Sequence, residues 1–200
     1  GIHASAADIS FSEANDHVKS VIAAIEPHDS QERFEGLGVT VLREHGQFTS
    51  PECVLAGDHE IKARRFVIAA GSSALVPSIL GLDEVPYLIN ETLFDLRETP
   101  EHLGIIGGGP IGLEMAQAHR RLGAKVTVFE AQTALGKDDP ELAGIVLKAL
   151  KDEGIEILQK TAVERVEKTG DGITVTAHNE AGDTVTQTVS HLLVATGRAP

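Results

Sequence analysis

The sequence predicts an α/β protein, layered on a parallel sheet and carrying β-meanders. Three observations support this. The stretch LGIIGGGPIGLEMAQAHRRLGAKVTVFE, Leu103 to Glu130, reads as strand, glycine loop, helix and strand. A second helical pattern and the apolar strand HLLVATG follow it. The two halves of the chain also echo each other, each closing with a β-meander and an apolar strand, RFVIAAGS in the first and HLLVATGR in the second.

Taken in order, residues 12 to 25 place Val18, Val21, Ile22 and Ile25 on one helix face, with Ser10 or Ser12 as cap, and Pro27 ends that helix. From Val39 to Ala70 short β-rich runs follow, VTVLR, GQFT, CVLAG, HEIKA and RFVIAAG: a small meander and then a buried strand. The segment from Ser72 to Leu103 is rich in proline and poor in periodicity, so it reads as a connector crossing the surface. Pro140 to Glu153 is an amphipathic helix with proline in its first turn, and the acids Asp138, Asp139 and Glu141 suit the positive end of its dipole. Strand IEIL, two β-runs around TGDG, a third after EAGD, and HLLVATG complete the pattern.

Composition excludes several function classes. The 200 residues hold 30 acidic and 17 basic side chains, a formal net charge of -13, and no run of Lys and Arg dense enough to neutralise a row of phosphates. Nucleic acid is therefore not an expected partner. No stretch of eighteen apolar residues occurs, and GIHASAADIS lacks the basic and apolar parts of a secretory signal, so the expectation is a soluble, cytoplasmic protein with no membrane span. Cys53 is the only cysteine, which leaves no disulfide framework and no paired-thiolate zinc site; it reads as a small residue in a meander strand. His3, His17, His28, His45, His59, His102, His119, His178 and His191 lack metal-site spacing and are expected to be solvated or capping.

The glycine loop, Gly107, Gly108, Gly109, Pro110, Ile111 and Gly112, is the candidate site. Gly107 permits the tight turn, Gly109 lets backbone approach a pyrophosphate, and Gly112 lets the helix pack on the strand. The anion would sit on unpaired helix N–H groups at the positive end of the dipole. Glu130, eighteen residues beyond Gly112, ends the second strand where a ribose diol would be bound. A carboxylate there repels a 2'-phosphate, no Arg follows in AQTALG, and Lys137 is seven residues on, so NAD(H) is expected over NADP(H). Gly197 follows Gly107 by 90 residues, and the same distance counted back from Gly71 lands before residue 1. If the halves are duplicated nucleotide-binding units, the first copy's glycine loop lies outside this chain.

With these residues placed, FVIAAGSSALVPSILGLD, IIGGGPIGLEMA, VTVFE and VATGRAP together resemble the FAD-dependent pyridine nucleotide-disulfide oxidoreductases, on the branch of mercuric reductase and dihydrolipoamide dehydrogenase. The resemblance covers essentially the whole chain. It implies a Rossmann-like, three-layer FAD/NAD(P)-binding fold, with residues 1–77 similar to the later part of an FAD domain, 78–98 a connector, and 99–198 a complete NAD(P) domain. It implies hydride transfer between NAD(P)H and FAD, then electron transfer to a CxxxxC disulfide and substrate. It places Glu114 near the nicotinamide, Val163 at the adenine, Gly197 on the nicotinamide side, and Gly46, Gly71 and Ser72 at the border of FAD. The sequence departs from the family in having no second GxGxxG, no CxxxxC pair and no C-terminal His-Glu pair. An internal fragment is therefore expected, inactive alone as a disulfide reductase, from a parent that dimerises through a C-terminal domain absent here.

Two other classes fit parts of the sequence. A non-catalytic NAD-sensing regulatory domain would explain the missing redox groups but leaves the first half without a role. An S-adenosylmethionine methyltransferase also uses a glycine loop and an acidic strand end, but has no need of the second ATG strand.

Overall fold

The computed structural model describes residues 9–170 and 172–200. His3 and Asp171 lie outside them. The chain forms two compact units: Ser72–Pro200 with the described residues up to Asp16, and His17–Gly71.

Helix α1 runs from Phe11 to Ile25, and Ser10 rather than Ser12 caps it, its hydroxyl accepting the Glu13 N–H at 3.3 Å. The expected apolar face is not its buried face. Phe11 and Asn15 are buried, whereas Val21, Ile22 and Ile25 are 43–54% exposed. The Asn15 amide donates to the Phe94 carbonyl at 2.7 Å, and Phe11 stacks at a tilt on His119, 5.9 Å between ring centroids. These contacts fix the start of the helix, which explains why its burial does not follow its apolar periodicity.

In the unit His17–Gly71, Pro27 stands in a single 3-10 turn, Glu26–Asp29, after which the short helix α2 (Gln31–Gly36) is capped by Ser30. The antiparallel meander β1 (Gly46–Ser50), β2 (Cys53–Ala56) and β3 (His59–Lys62) follows. Cys53 is buried in β2, as expected. VTVLR does not form a strand, and neither does RFVIAAG, whose Val67 and Ile68 are 90% and 78% exposed. A buried parallel strand needs neighbours for its N–H and C=O groups and cover for both faces. No described strand pairs with this segment, although Phe66 packs edge-on against Phe48 of β1, 5.1 Å between ring centroids.

The larger unit holds a five-stranded parallel sheet in the order β5 (Tyr87–Leu88), β12 (His191–Val194), β6 (His102–Ile106), β7 (Lys125–Phe129), β8 (Glu156–Leu158). Two minor strands, β4 (Ser73–Ala74) and β13 (Arg198–Ala199), pair antiparallel. Successive strand residues point to opposite faces, so the sheet supplies two cores. On one face Leu103, Ile105, Val126, Val128 and Leu193 meet Leu113 and Ala116 of α3 (Pro110–Arg121) and Leu150 of α4 (Pro140–Asp152). On the other, Ile106, Phe129, Leu192 and Val194 meet the antiparallel sheet of β9 (Thr161–Thr169), β10 (Gly172–Asn179) and β11 (Thr184–Val189) through Val166, Val175 and Val189. The result is three layers: helices, parallel sheet, meander.

Residues 78–98 are not a free surface connector. Leu82, Val85 and Leu93 are 3%, 6% and 1% exposed, and Leu80 exchanges backbone hydrogen bonds with β9. Burying such side chains stabilises the unit by roughly 1.5–3 kcal/mol each, which a linker reading of the prolines misses.

Candidate functional site

The site grows out of the β6–α3 turn. Gly107 leaves β6 at φ +114, and a Cβ there would stand 2.3 Å from the Ala195 carbonyl oxygen, so the strand-end turn excludes every side chain. A Cβ on Gly112 would stand 2.1 Å from the Gly107 oxygen, which is how closely α3 presses on the loop. Gly109 differs from both: nothing lies within 4 Å of its Cβ position, so the missing side chain leaves space rather than relieving a clash. Gly109 is also the N-cap of α3 and offers no side-chain cap, while Pro110 at the first position has no N–H. The remaining first-turn N–H groups have no partner within the helix, and the positive end of its dipole lies behind them.

Glu130, just past β7, is held rigidly. Its Oε2 accepts the Gly108 N–H and its Oε1 the Gln132 N–H, each at 2.7 Å. Two of the roughly four lone-pair positions of the carboxylate are thereby used, and two remain for hydroxyl donors. The segment after it folds back over the loop, with the Leu135 N–H donating to the Gly108 carbonyl at 3.1 Å and the Ala134 N–H to Gln159 Oε1 at 2.9 Å. Leu135 adopts φ +54 to make this bend.

Together these elements line a groove of about 450 Å³ whose walls are Gly107–Ile111, Glu130, Gln132–Thr133, Leu135–Asp138 and Ala195–Gly197. The structure therefore gathers Gly107, Gly108, Gly109, Pro110, Ile111, Glu130 and Gly197, with Gly112 directly behind. Lys137, seven residues beyond Glu130 in sequence, lines the same groove because the 131–139 segment doubles back. Thr133 and Thr196 had no sequence signal, and Asp138 had one only as an acid at the start of the following helix. Thr196 is positioned by its hydroxyl, which donates to the Leu75 carbonyl at 2.6 Å.

Other sequence-derived positions stand apart from the groove walls. Glu114 is exposed on α3, and Val163 packs on the meander-side core. Gly46 lies in β1, and Gly71 has an open left-handed backbone at φ +71. Ser72 accepts from Arg198, its hydroxyl from Nε at 2.8 Å and its carbonyl from Nη2. His102 and His119 are 7% and 6% exposed and hydrogen-bonded, not solvated, because both start or line buried elements. Among the described residues no group of His, Cys, Asp and Glu is arranged to hold a metal ion, and no helix is long and apolar enough to cross a membrane.

The groove, its glycine loop and its layered frame agree with comparisons to known proteins. The profile of the pyridine nucleotide-disulphide oxidoreductases matches residues 5–200. The mercuric reductase of Bacillus cereus is 31% identical over 201 residues, covering 100% of this chain and 32% of that protein. The mercuric reductase of Streptomyces lividans is 39% identical over 142 residues, covering 71% of this chain and 30% of that protein. The HOCl-induced flavoprotein disulfide reductase RclA from Escherichia coli superposes with a TM-score of 0.79 at 29% identity, over 96% of this chain and 43% of that one. The chain thus spans about a third of the length of the mercuric reductases it matches. From its Rossmann-like fold and these matches, the chain belongs to the pyridine nucleotide-disulphide oxidoreductase family.

Proposed function

We propose that this chain is the NAD(H)-binding portion of a flavin-dependent oxidoreductase, in which hydride passes between the nicotinamide and FAD and electrons pass on to a redox disulfide and substrate. The observation that supports this best is the open space at Gly109 beside uncapped N–H groups of α3, with a fixed carboxylate across the groove. A pyrophosphate is the group such a cradle suits: doubly negative, backbone-bound and intolerant of a Cβ. Glu130 would take the adenine-side ribose hydroxyls with its free lone pairs. The part proposed for this chain is binding and orienting the nicotinamide donor.

Clamped by two N–H groups, Glu130 cannot swing aside for a 2'-phosphate, which favours NADH. Lys137 is the opposing influence, a cation on the same groove. Parallel titration with NADH and NADPH, followed by nicotinamide fluorescence, tests the reading. Saturable NADH binding at least about tenfold tighter than NADPH is expected, a difference of 1.4 kcal/mol. Tighter NADPH binding would overturn the cofactor choice, and no binding of either would overturn the binding role itself.

A further inference from the structure

Toward the N-terminal end of the parallel strands, opposite the glycine loop, three side chains form a line. His102, the first residue of β6, is 7% exposed, and Thr127 of β7 is 0% exposed. His102 Nδ1 lies 3.1 Å from the Thr188 carbonyl oxygen of β11, and Nε2 lies 2.9 Å from Thr127 Oγ1. Thr127 Oγ1 in turn lies 2.8 Å from Glu156 Oε2 at the start of β8.

Counting hydrogens decides what this line needs. A carbonyl oxygen only accepts, so Nδ1 must carry a hydrogen toward Thr188. An ionised carboxylate only accepts, so the single hydroxyl hydrogen of Thr127 must point at Glu156, and Nε2 must then carry a hydrogen too. Three contacts require three hydrogens; a neutral imidazole and one hydroxyl supply two. The other neutral tautomer only moves the defect, setting a bare Nδ1 against the Thr188 oxygen.

We propose that His102, Thr127 and Glu156 form a proton-binding site that takes one proton from solvent and shares it across the Thr127 hydroxyl. The proton resides either on the imidazole, beside a carboxylate, or on Glu156, beside a neutral imidazole. Both forms have zero net charge and make all three bonds, tying β6, β7, β8 and β11 together. Without the proton, Thr127 turns its hydrogen to Nε2 and the exposed Glu156 side chain is released to solvent.

The surroundings set where this happens. Burial and the Lys125 ammonium of β7 oppose the imidazolium, while the Thr188 carbonyl and the Glu156 and Glu101 carboxylates favour it; burial is the largest influence and holds the pKa below the ordinary histidine range. Ser190, before β12, accepts the His102 N–H at 3.0 Å and links it to His191 Nδ1, also at 3.0 Å; burial lowers the His191 pKa as well. Gln187 of β11 approaches Glu156 Oε2 at 3.5 Å. The tie therefore closes on acidification and opens toward neutral pH.

Ring-nitrogen NMR titration of the full chain tests this. In Glu156→Gln the side-chain amide supplies the third hydrogen, so the His102 midpoint should fall by at least about one pH unit, a tenfold loss of proton affinity. In a Thr127→Val background the same Glu156→Gln change should lower the midpoint much less, because the bridge is already cut and only the through-space attraction of the carboxylate is lost. An unchanged midpoint in Glu156→Gln alone would overturn the shared proton. An equal shift in both backgrounds would reduce Glu156 to a through-space charge and overturn it as well.

Discussion

Two segments of similar sequence, RFVIAAG at 65–71 and HLLVATG at 191–197, end in opposite states. In the second, Leu192, Leu193 and Val194 are 0%, 0% and 1% exposed, between β5 and β6 in the parallel sheet, with helices on one side and the meander on the other. In the first, Val67 and Ile68 face solvent and pair with no described strand. An apolar run of this kind acquires strand structure only from neighbours that satisfy its backbone and cover its faces. The same contrast separates the two units: in His17–Gly71 only Cys53 and Ala56 are buried, whereas the larger unit has a core on both faces of its sheet.

The two regions should differ most at glycine. Gly112→Ala would drive a Cβ into the Gly107 oxygen and should cost more than about 3 kcal/mol, while Gly71→Ala meets open space and pays only the left-handed strain of about 1–2 kcal/mol. Urea unfolding followed by circular dichroism measures both, and equal losses would mean the loop is less tightly packed than described. Next comes the strand pair itself. Leu193→Ala should cost about 2–5 kcal/mol, and Ile68→Ala should stay within about 0.5 kcal/mol. A large loss at Ile68 would show that 65–71 is covered in solution.

The smallest effect is in pH. Burial is the leading cause lowering the pKa of His102, His119 and His191, all in the larger unit; a bond to the Met115 carbonyl partly offsets it at His119. A lowered folded pKa means the unfolded chain binds protons more readily. The stability contributed by these neutral rings is therefore complete above roughly pH 6.5 and lost as pH falls through the lowered values. A urea midpoint for this unit that rises between pH 7 and 5 would contradict that sign.

Much of this was legible in the sequence, for a physical reason. The β6–loop–α3–β7 unit follows from local rules, period, capping and glycine spacing, and those rules also put Glu130 at the end of the second strand. What depends on distant partners was not. Lys137 reaches the groove because residues 131–139 double back on Gly108 and Gln159, which spacing alone does not encode. The exposed Val67 and Ile68 look like core residues to any pattern reading, and the burial of Leu82 and Leu93 was hidden by the prolines around them. His102 and His119 looked like surface histidines because their partners, Thr188 and Thr127 for one and Met115 for the other, carry no sequence signature.

On the proposed function, the larger unit alone carries the dinucleotide groove. Amide hydrogen exchange with and without NADH tests it most directly. Added protection is expected at Gly107–Gly112, Thr133–Lys137 and Ala195–Gly197, with 17–71 exchanging as before. Added protection confined to 17–71, or none anywhere at saturating NADH, would contradict it.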